Sequence, residues 1–132
     1  MGAGKQRILI IDDEVRLTRL LKVSLELTGA YDVYEANSGS EGLAAAKQVQ
    51  PDLILLDVIM PDLGGTDVVA QLAADERLRR VPVVWLTATV SPQASHGAQP
   101  PAGGAAALAK PVTVEQVIRC IEQHLSGVGH SE

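Results

Sequence analysis

The sequence has few aromatic residues, a single cysteine and no long apolar run. Phe is absent and aromatic residues make up 2% of the chain, which leaves too few rings to stack single-stranded bases. The lone Cys120 excludes an internal disulfide framework and is typical of a reducing compartment, so we expect a cytoplasmic location. Apolar runs are far shorter than the roughly 20 residues that span a bilayer. The N-terminus lacks a signal-peptide pattern, and we expect no membrane association.

Basic residues are also in the minority. The chain has 11 Lys and Arg against 16 Asp and Glu, a formal net charge of −5. That balance argues against sequence-independent contact with nucleic acid phosphates or anionic lipids. With 132 residues, 46% of them hydrophobic, the chain is long enough to bury the core of one domain. We therefore expect a single domain with no direct nucleic acid contact.

Short β-branched runs alternate with helix-length stretches along the chain. The predicted strands cover residues 8–11, 33–36, 53–56, 83–86 and, more weakly, 105–109. The predicted helices cover residues 15–27, 41–50, 66–78 and 114–125. Three of the strands are apolar on both faces, as in the middle of a parallel sheet. The pattern predicts an α/β, flavodoxin-like (βα)5 three-layer sandwich with a central five-stranded parallel sheet.

Two of the predicted helices begin at capping boxes, in which the first side chain accepts a bond from the residue three positions on. The pairs are Ser38 with Glu41 and Thr113 with Gln116. On the first helix, apolar spacing predicts the face that turns inward. Its predicted inward residues are Leu17, Leu20, Leu21 and Ser24.

Acidic, hydroxyl or basic residues follow four of the five predicted strands. These residues are Asp12, Asp13, Glu14, Asp57, Thr87 and Lys110. Because the carboxyl ends of parallel strands share one edge, where such sheets bind ligands, we expect the side chains to converge there. An isolated Asp or Thr after a strand is ordinarily a helix cap or turn former. The set as a whole indicates a functional site.

The chemistry of this set points to a divalent cation and a phosphoryl group. Clustered carboxylates repel one another unless a cation neutralises them, and Mg²⁺ prefers oxygen ligands. A carboxylate beside such an ion can attack phosphorus and form an aspartyl phosphate. A hydroxyl and an ammonium can hold the oxygens of the transferred group.

Over residues 6–126 the chain resembles the receiver domain of bacterial two-component response regulators, in particular the stand-alone, chemotaxis-regulator-like ones. The matching motifs are Ile11-Asp12-Asp13-Glu14, Leu55-Leu56-Asp57 with its Met60-Pro61 turn, Leu86-Thr87-Ala88 and Ala109-Lys110-Pro111. The resemblance implies that Asp57 accepts a phosphoryl group from a sensor histidine kinase or a histidine phosphotransfer protein. Thr87 would then bond that group and Lys110 would pair with its oxygen.

The resemblance also implies a set of Mg²⁺ ligands. Asp13 and Asp57 would bind the ion through their side chains, and Ile59 through its backbone carbonyl. Asp12 would hold it mainly through water. Such a domain catalyses its own phosphorylation and dephosphorylation, but it acts as a switch rather than as a metabolic enzyme.

The sequence departs from the family pattern in the region that usually reads out phosphorylation. Receivers usually carry Tyr or Phe three residues before the lysine, where this chain has Ala107. No charged residue occurs from position 81 to 109, and residues 91–104 are rich in Pro and Gly. We therefore expect the helix between the fourth and fifth strands to be short or distorted.

Residues 1–5 are expected to form a disordered N-terminus, residues 6–126 the receiver domain and residues 127–132 a C-terminal tail. The signal would leave through a downstream protein target, and a phosphorylation-dependent homodimer is a further option. One alternative is a receiver-fold binding module that signals independently of phosphorylation. A phosphohydrolase of the haloacid dehalogenase type is disfavoured, because it needs a second Asp where this chain has Ile59. A longer parent protein with a further domain stays open.

Overall fold

The computed structural model describes residues 4–87 and 104–126. The helix expected over residues 91–104 lies, except for residue 104, outside the described residues, as do residues 127–132. In chain order the elements are β1 (Gln6–Ile11), α1 (Val15–Leu27), β2 (Tyr31–Ala36), α2 (Gly39–Val49), β3 (Leu53–Asp57), α3 (Gly65–Ala73), β4 (Val83–Thr87), β5 (Ala106–Ala109) and α4 (Val114–Ile121). A π-helical turn, Glu122–Ser126, extends α4.

The five strands form one parallel sheet in the order β2-β1-β3-β4-β5. The chain runs from β1 outward to β2 and then crosses back to β3 on the other side of β1. The strand order therefore reverses between β1 and β3, which is where open α/β sheets bind ligands. This topology confirms the predicted (βα)5 fold.

Each face of the sheet buries its own apolar cluster. On one face, Ile10 and Leu55 pack with residues of α1 and α4. On the other face, Leu9 and Leu56 pack with residues of α2 and α3, together with Trp85, which is 1% exposed. Because β1, β3 and β4 are apolar on both faces, the sheet is the middle layer of three.

The inward face of α1 differs from the sequence expectation. The buried residues are Thr18, Leu21 and Leu25, whereas Leu20 is 57% exposed. The expectation for Leu20 is wrong because the packed stripe runs through positions spaced three and four apart from Thr18. A buried threonine interrupts the apolar pattern from which the face was inferred.

Both predicted capping boxes mark helix starts, but only one has both of its bonds. At α4, the hydroxyl of Thr113 accepts from the N–H of Gln116, whose side chain accepts from the N–H of Thr113. At α2, Ser38 Oγ accepts from the N–H of Glu41 at 3.1 Å. The Glu41 carboxylate instead accepts from the N–H of Asn37 at 2.9 Å, one residue before the cap.

Among the described residues, no helix has the length and apolar character needed to cross a bilayer.

Candidate functional site

The acid pair lies directly after β1, at the point where the strand order reverses. The backbone N–H of Asp12 donates to the carbonyl of Ala36 at 3.0 Å, which extends the pairing with β2 by one residue. The side chain of Asp12 is fully buried, and its Oδ1 accepts from the N–H of Glu14 at 2.9 Å. Asp13, the next residue, is exposed. One carboxylate is therefore fixed inside the site and the other lies at its mouth.

Asp57, the last residue of β3, lies beside this pair. It is 8% exposed, and β3 is hydrogen-bonded to both β1 and β4. One carboxylate oxygen from each of Asp12, Asp13 and Asp57 lies within 4.8 Å of the others. The structure thus brings together the three carboxylates that the sequence predicts for one site.

Lys110, which follows β5, supplies the positive charge at this edge of the sheet. Its Nζ lies 2.8 Å from Asp12 Oδ2, 2.8 Å from Glu14 Oε1 and 3.6 Å from Asp57 Oδ1. The backbone N–H of Lys110 donates to the carbonyl of Thr87 at 2.8 Å, which holds the two residues side by side. The ammonium is therefore closer to the acids after β1 than to Asp57.

Burial and charge shift the pKa values of these groups. Burial, reinforced by the negative charge of Asp12, raises the pKa of Asp57 to about 6. Burial also raises the pKa of Asp12, although the nearby Lys110 ammonium and the N–H of Glu14 oppose the shift. Burial lowers the pKa of Lys110, but its bonds to Asp12 and Glu14 outweigh that effect and raise it above its ordinary value. At neutral pH Asp57 is mostly ionised and Lys110 is charged.

The remaining predicted site residues are Thr87 and Ile59, which lie at the end of β4 and in the loop after β3. Thr87 ends β4, and among the described residues its hydroxyl makes one hydrogen bond, a long one of 3.5 Å to the carbonyl of Leu108. Ile59 lies in the loop after Asp57 with its side chain 78% exposed. Ala107 is exposed on β5.

The donor set fits a small hard cation. Asp12 Oδ2 is buried and accepts no well-directed hydrogen bond from the described residues, although the Lys110 ammonium is near. The other two carboxylates of the cluster lie within reach of the same ion. All the side-chain ligand atoms offered are oxygens, the type that Mg²⁺ and Ca²⁺ prefer. The cluster of Asp12, Asp13 and Asp57 could hold a metal ion.

Sequence reasoning missed one residue of the site, Asn37. Its side-chain amide donates to the backbone carbonyl of Asp12 at 2.8 Å and to the hydroxyl of Thr18 at 3.1 Å. Thr18 Oγ1 in turn donates to Glu35 at 2.9 Å. The sequence carries a signal for this residue, because Asn37 directly follows β2, just as the predicted site residues follow the other four predicted strands.

A parallel sheet with an acid pair after the first strand, an aspartate at the end of the third and a lysine after the fifth defines the receiver class of signalling domain. Comparison with known families agrees: the response regulator receiver domain model matches residues 8–122. The chain belongs to the response regulator receiver domain family, whose function is phosphorylation-based signalling in two-component systems.

Curated relatives and solved structures support this assignment. The DNA-binding dual master transcriptional regulator RpaA of Synechocystis sp. is 48% identical over 82 residues, 62% of this chain and 34% of RpaA. The DNA-binding response regulator MtrA of Mycolicibacterium smegmatis is 40% identical over 88 residues, 67% of this chain and 37% of MtrA. The chain thus spans about a third of the length of these relatives.

The structural neighbours are receiver domains along nearly their whole length. Chemotaxis protein CheY4 of Vibrio cholerae aligns with a TM-score of 0.78 at 26% identity, covering 92% of this chain and 100% of that one. The signal receiver domain of a histidine kinase from Syntrophus aciditrophicus aligns with a TM-score of 0.77 at 30% identity, covering 96% and 95%.

Proposed function

We propose that Asp57 is the phosphoacceptor of this receiver domain. The observation that carries the proposal is the placement of Asp57 at the end of β3, 8% exposed, beside two further carboxylates and a lysine. A pKa of about 6 leaves its carboxylate mostly ionised at neutral pH. An oxygen of Asp57 forms the new P–O bond while the P–N bond of a phosphohistidine breaks, and the electron pair of that bond stays with the imidazole.

Mg²⁺ is the proposed ion of the carboxylate cluster. Asp13 and Asp57 would hold it through their side chains, Asp12 mainly through water and Ile59 through its backbone carbonyl. When bound, the ion offsets negative charge on the phosphoryl group. The choice of Mg²⁺ rests on the all-oxygen donor set and on the family, in which this ion accompanies phosphorylation.

Lys110 and Thr87 are proposed to hold the transferred group. The Lys110 ammonium lies 3.6 Å from Asp57 Oδ1, so it can reach an oxygen carried by that carboxylate with a small rotation of its side chain. Within the described part of the chain the Thr87 hydroxyl makes one long bond, and it can leave that bond to donate to a phosphoryl oxygen. Lys110 thus supplies positive charge, and Thr87 a hydrogen-bond donor, where negative charge accumulates on the phosphoryl group.

The phosphodonor is a sensor histidine kinase or a histidine phosphotransfer protein in this proposal. Receiver domains interact with histidine kinases, and an open hollow of about 440 Å³ adjoins the site. Its lining combines the half-buried apolar Leu17 and exposed Leu20 of α1 with Lys110 and the two residues after it. The hollow would let an apolar helix surface rest against α1 while its histidine approaches Asp57.

The output step is a change in protein contacts. A downstream protein target, or a second phosphorylated copy of the chain, would read the state of Asp57 without direct nucleic acid contact by this domain. Members of the family are generally cytoplasmic, and we propose the same location here. We also propose that residues 6–126 form the folded receiver and that residues 1–5 and 127–132 are its ends. Because Ala107 stands where the family usually has an aromatic residue, the usual two-state readout is either missing or carried by other residues.

Intact mass spectrometry after incubation with acetyl phosphate tests the phosphoacceptor. We expect one phosphoryl adduct that requires Mg²⁺ and is absent from Asp57→Asn. The matched control is Asp52→Asn, the same change just before the other end of β3, where the carboxylate accepts from the N–H of Arg7. An unlabelled wild-type chain that is folded would instead favour a binding module that signals without phosphate.

A further inference from the structure

The turn that leads into α2 bonds to the loops on both sides of the site, although it carries none of the predicted site residues. We call residues 37–40 the α2 entry turn. On the β1 side, the amide of Asn37 donates to the backbone carbonyl of Asp12 at 2.8 Å. Asn37 is half-buried, and the bond is made at the residue that begins the acid pair. The α2 entry turn thus fixes the backbone at Asp12.

On the β3 side, the same turn is held by Asp62, five residues after Asp57. The Asp62 carboxylate accepts from the N–H groups of Gly39 and Ser40, each at 3.1 Å, and from Ser40 Oγ at 2.6 Å. These N–H groups are in the first turn of α2 and lack partners within the helix. A carboxylate there is also favoured by the helix dipole. The bonds from Ser40 hold the pKa of Asp62 at about 2, so it stays ionised over the physiological range.

Close packing also joins the start of α2 to the β1 side and to the β3 side of the site. A Cβ on Gly39 would overlap the backbone carbonyl of Leu63, in the loop after β3. A Cβ on Gly42 would lie 2.5 Å from Cδ1 of Ile11, the last residue of β1. The start of α2 is therefore packed directly against the end of β1 and against the loop after β3.

We propose that the bonds of Asn37 and Asp62 at the α2 entry turn fix the separation between the two carboxylate loops, and that these two residues are positioning residues for the metal site. Three carboxylates within 4.8 Å of one another repel, and that repulsion favours the parting of the loops after β1 and β3. Bonds from one rigid helix start to both loops oppose this separation before any ion binds. This role rests on the proposed Mg²⁺ site. Asn37 and Asp62 would position the ligands of that site without touching the ion.

The test is the dissociation constant of Mg²⁺, measured by isothermal titration calorimetry on the full chain. Asn37→Ala and Asp62→Ala are each expected to raise it several-fold to about tenfold, as for other residues that orient metal ligands. Asp62→Asn keeps one acceptor oxygen and should give a smaller rise. Because Asp62 is exposed, its variants keep the test valid if Asn37→Ala does not fold.

Ser38→Ala is the matched control. Ser38 lies in the same turn and caps the same helix, but its hydroxyl accepts from Glu41 and bonds to neither carboxylate loop. It should lower the urea midpoint of unfolding while the Mg²⁺ dissociation constant stays within about twofold of wild type. If the turn acted only by stabilising the fold, Asn37→Ala, Asp62→Ala and Ser38→Ala would all weaken Mg²⁺ binding to the same extent.

Two results would overturn the positioning role while the proposed function stands: wild-type affinity in both Asn37→Ala and Asp62→Ala, or equal weakening in Ser38→Ala. A folded wild-type chain that binds no Mg²⁺ would refute the metal site itself, and the positioning role with it. Loss of the binding heat in Asp13→Asn shows that the titration reports this site.

Discussion

At the scale of single residues, the three carboxylates of the site are not equivalent. Asp12 is fully buried and already engaged by Lys110 and by the N–H of Glu14, so it has little freedom to attack a donor. Asp13 is exposed and lies at the mouth of the site. Asp57 is nearly buried and lies 3.6 Å from the lysine, which leaves its oxygens less constrained. These surroundings favour Asp57 as the nucleophile and Asp12 as a fixed charge.

The raised pKa of Asp57 has a consequence for stability. Its pKa is about 6 in the folded chain against 3.8 in the unfolded chain, so between these values the folded state binds more protons. Stability in EDTA should therefore fall as the pH rises through that interval. The ionised group costs up to about 3 kcal/mol at neutral pH, since the folded site disfavours its charge.

Asp57→Asn removes this cost. In EDTA we expect the variant to be more stable than wild type by about 2–3 kcal/mol at pH 7, with the difference falling to about 0.5 kcal/mol at pH 4 and vanishing below about pH 3. Urea unfolding of both chains across this pH range measures the difference in stability at each pH. A difference between the two chains that does not grow from pH 4 to pH 7 would contradict the raised pKa of Asp57.

At the scale of secondary structure elements, local sequence determines where α4 begins. Thr113 and Gln116 satisfy each other's backbone N–H groups at the start of α4. This exchange needs no tertiary partner, which is why the sequence alone predicts it. At α2, by contrast, Asp62 bonds to the helix start across separations of 22 and 23 residues. No local sequence pattern predicts these bonds.

The capping box of α4 gives a prediction at this scale. Thr113→Ala should lower the free energy of unfolding by about 1 kcal/mol, because the N–H of Gln116 loses its acceptor. Thr113→Ser keeps the hydroxyl and should stay close to wild type. Urea unfolding compares the three chains. Equal stability of Thr113→Ala and wild type would show that water satisfies this N–H at no cost.

The elements also show why some expectations from sequence are wrong in detail. The buried stripe of α1 includes Thr18 rather than Leu20, because Thr18 Oγ1 bonds to Glu35 and accepts from Asn37. Those partners lie on β2 and just after it, and only the folded sheet brings them next to α1. A hydropathy pattern treats a threonine as polar and cannot show that its hydroxyl has partners inside.

At the scale of the whole molecule, topology explains why the site residues converge. Asp12, Asp57, Thr87 and Lys110 come from four strand ends, and the parallel order β2-β1-β3-β4-β5 places those ends at one edge. The sequence predicts this edge because strand type and chain order suffice for a parallel sheet. The distances within the site do not follow from topology. They depend on side-chain rotamers and on contacts such as that of Asn37 with Asp12, which link distant loops.

The most direct test of the phosphoacceptor is to locate the phosphoryl group. The chain would be phosphorylated with acetyl phosphate and Mg²⁺, reduced with borohydride to convert the acyl phosphate to homoserine, digested and sequenced by mass spectrometry. Homoserine at position 57, and only in the phosphorylated sample, is the expected result. Homoserine in place of Asp12 or Asp13, with Asp57 unchanged, would contradict the assignment of Asp57.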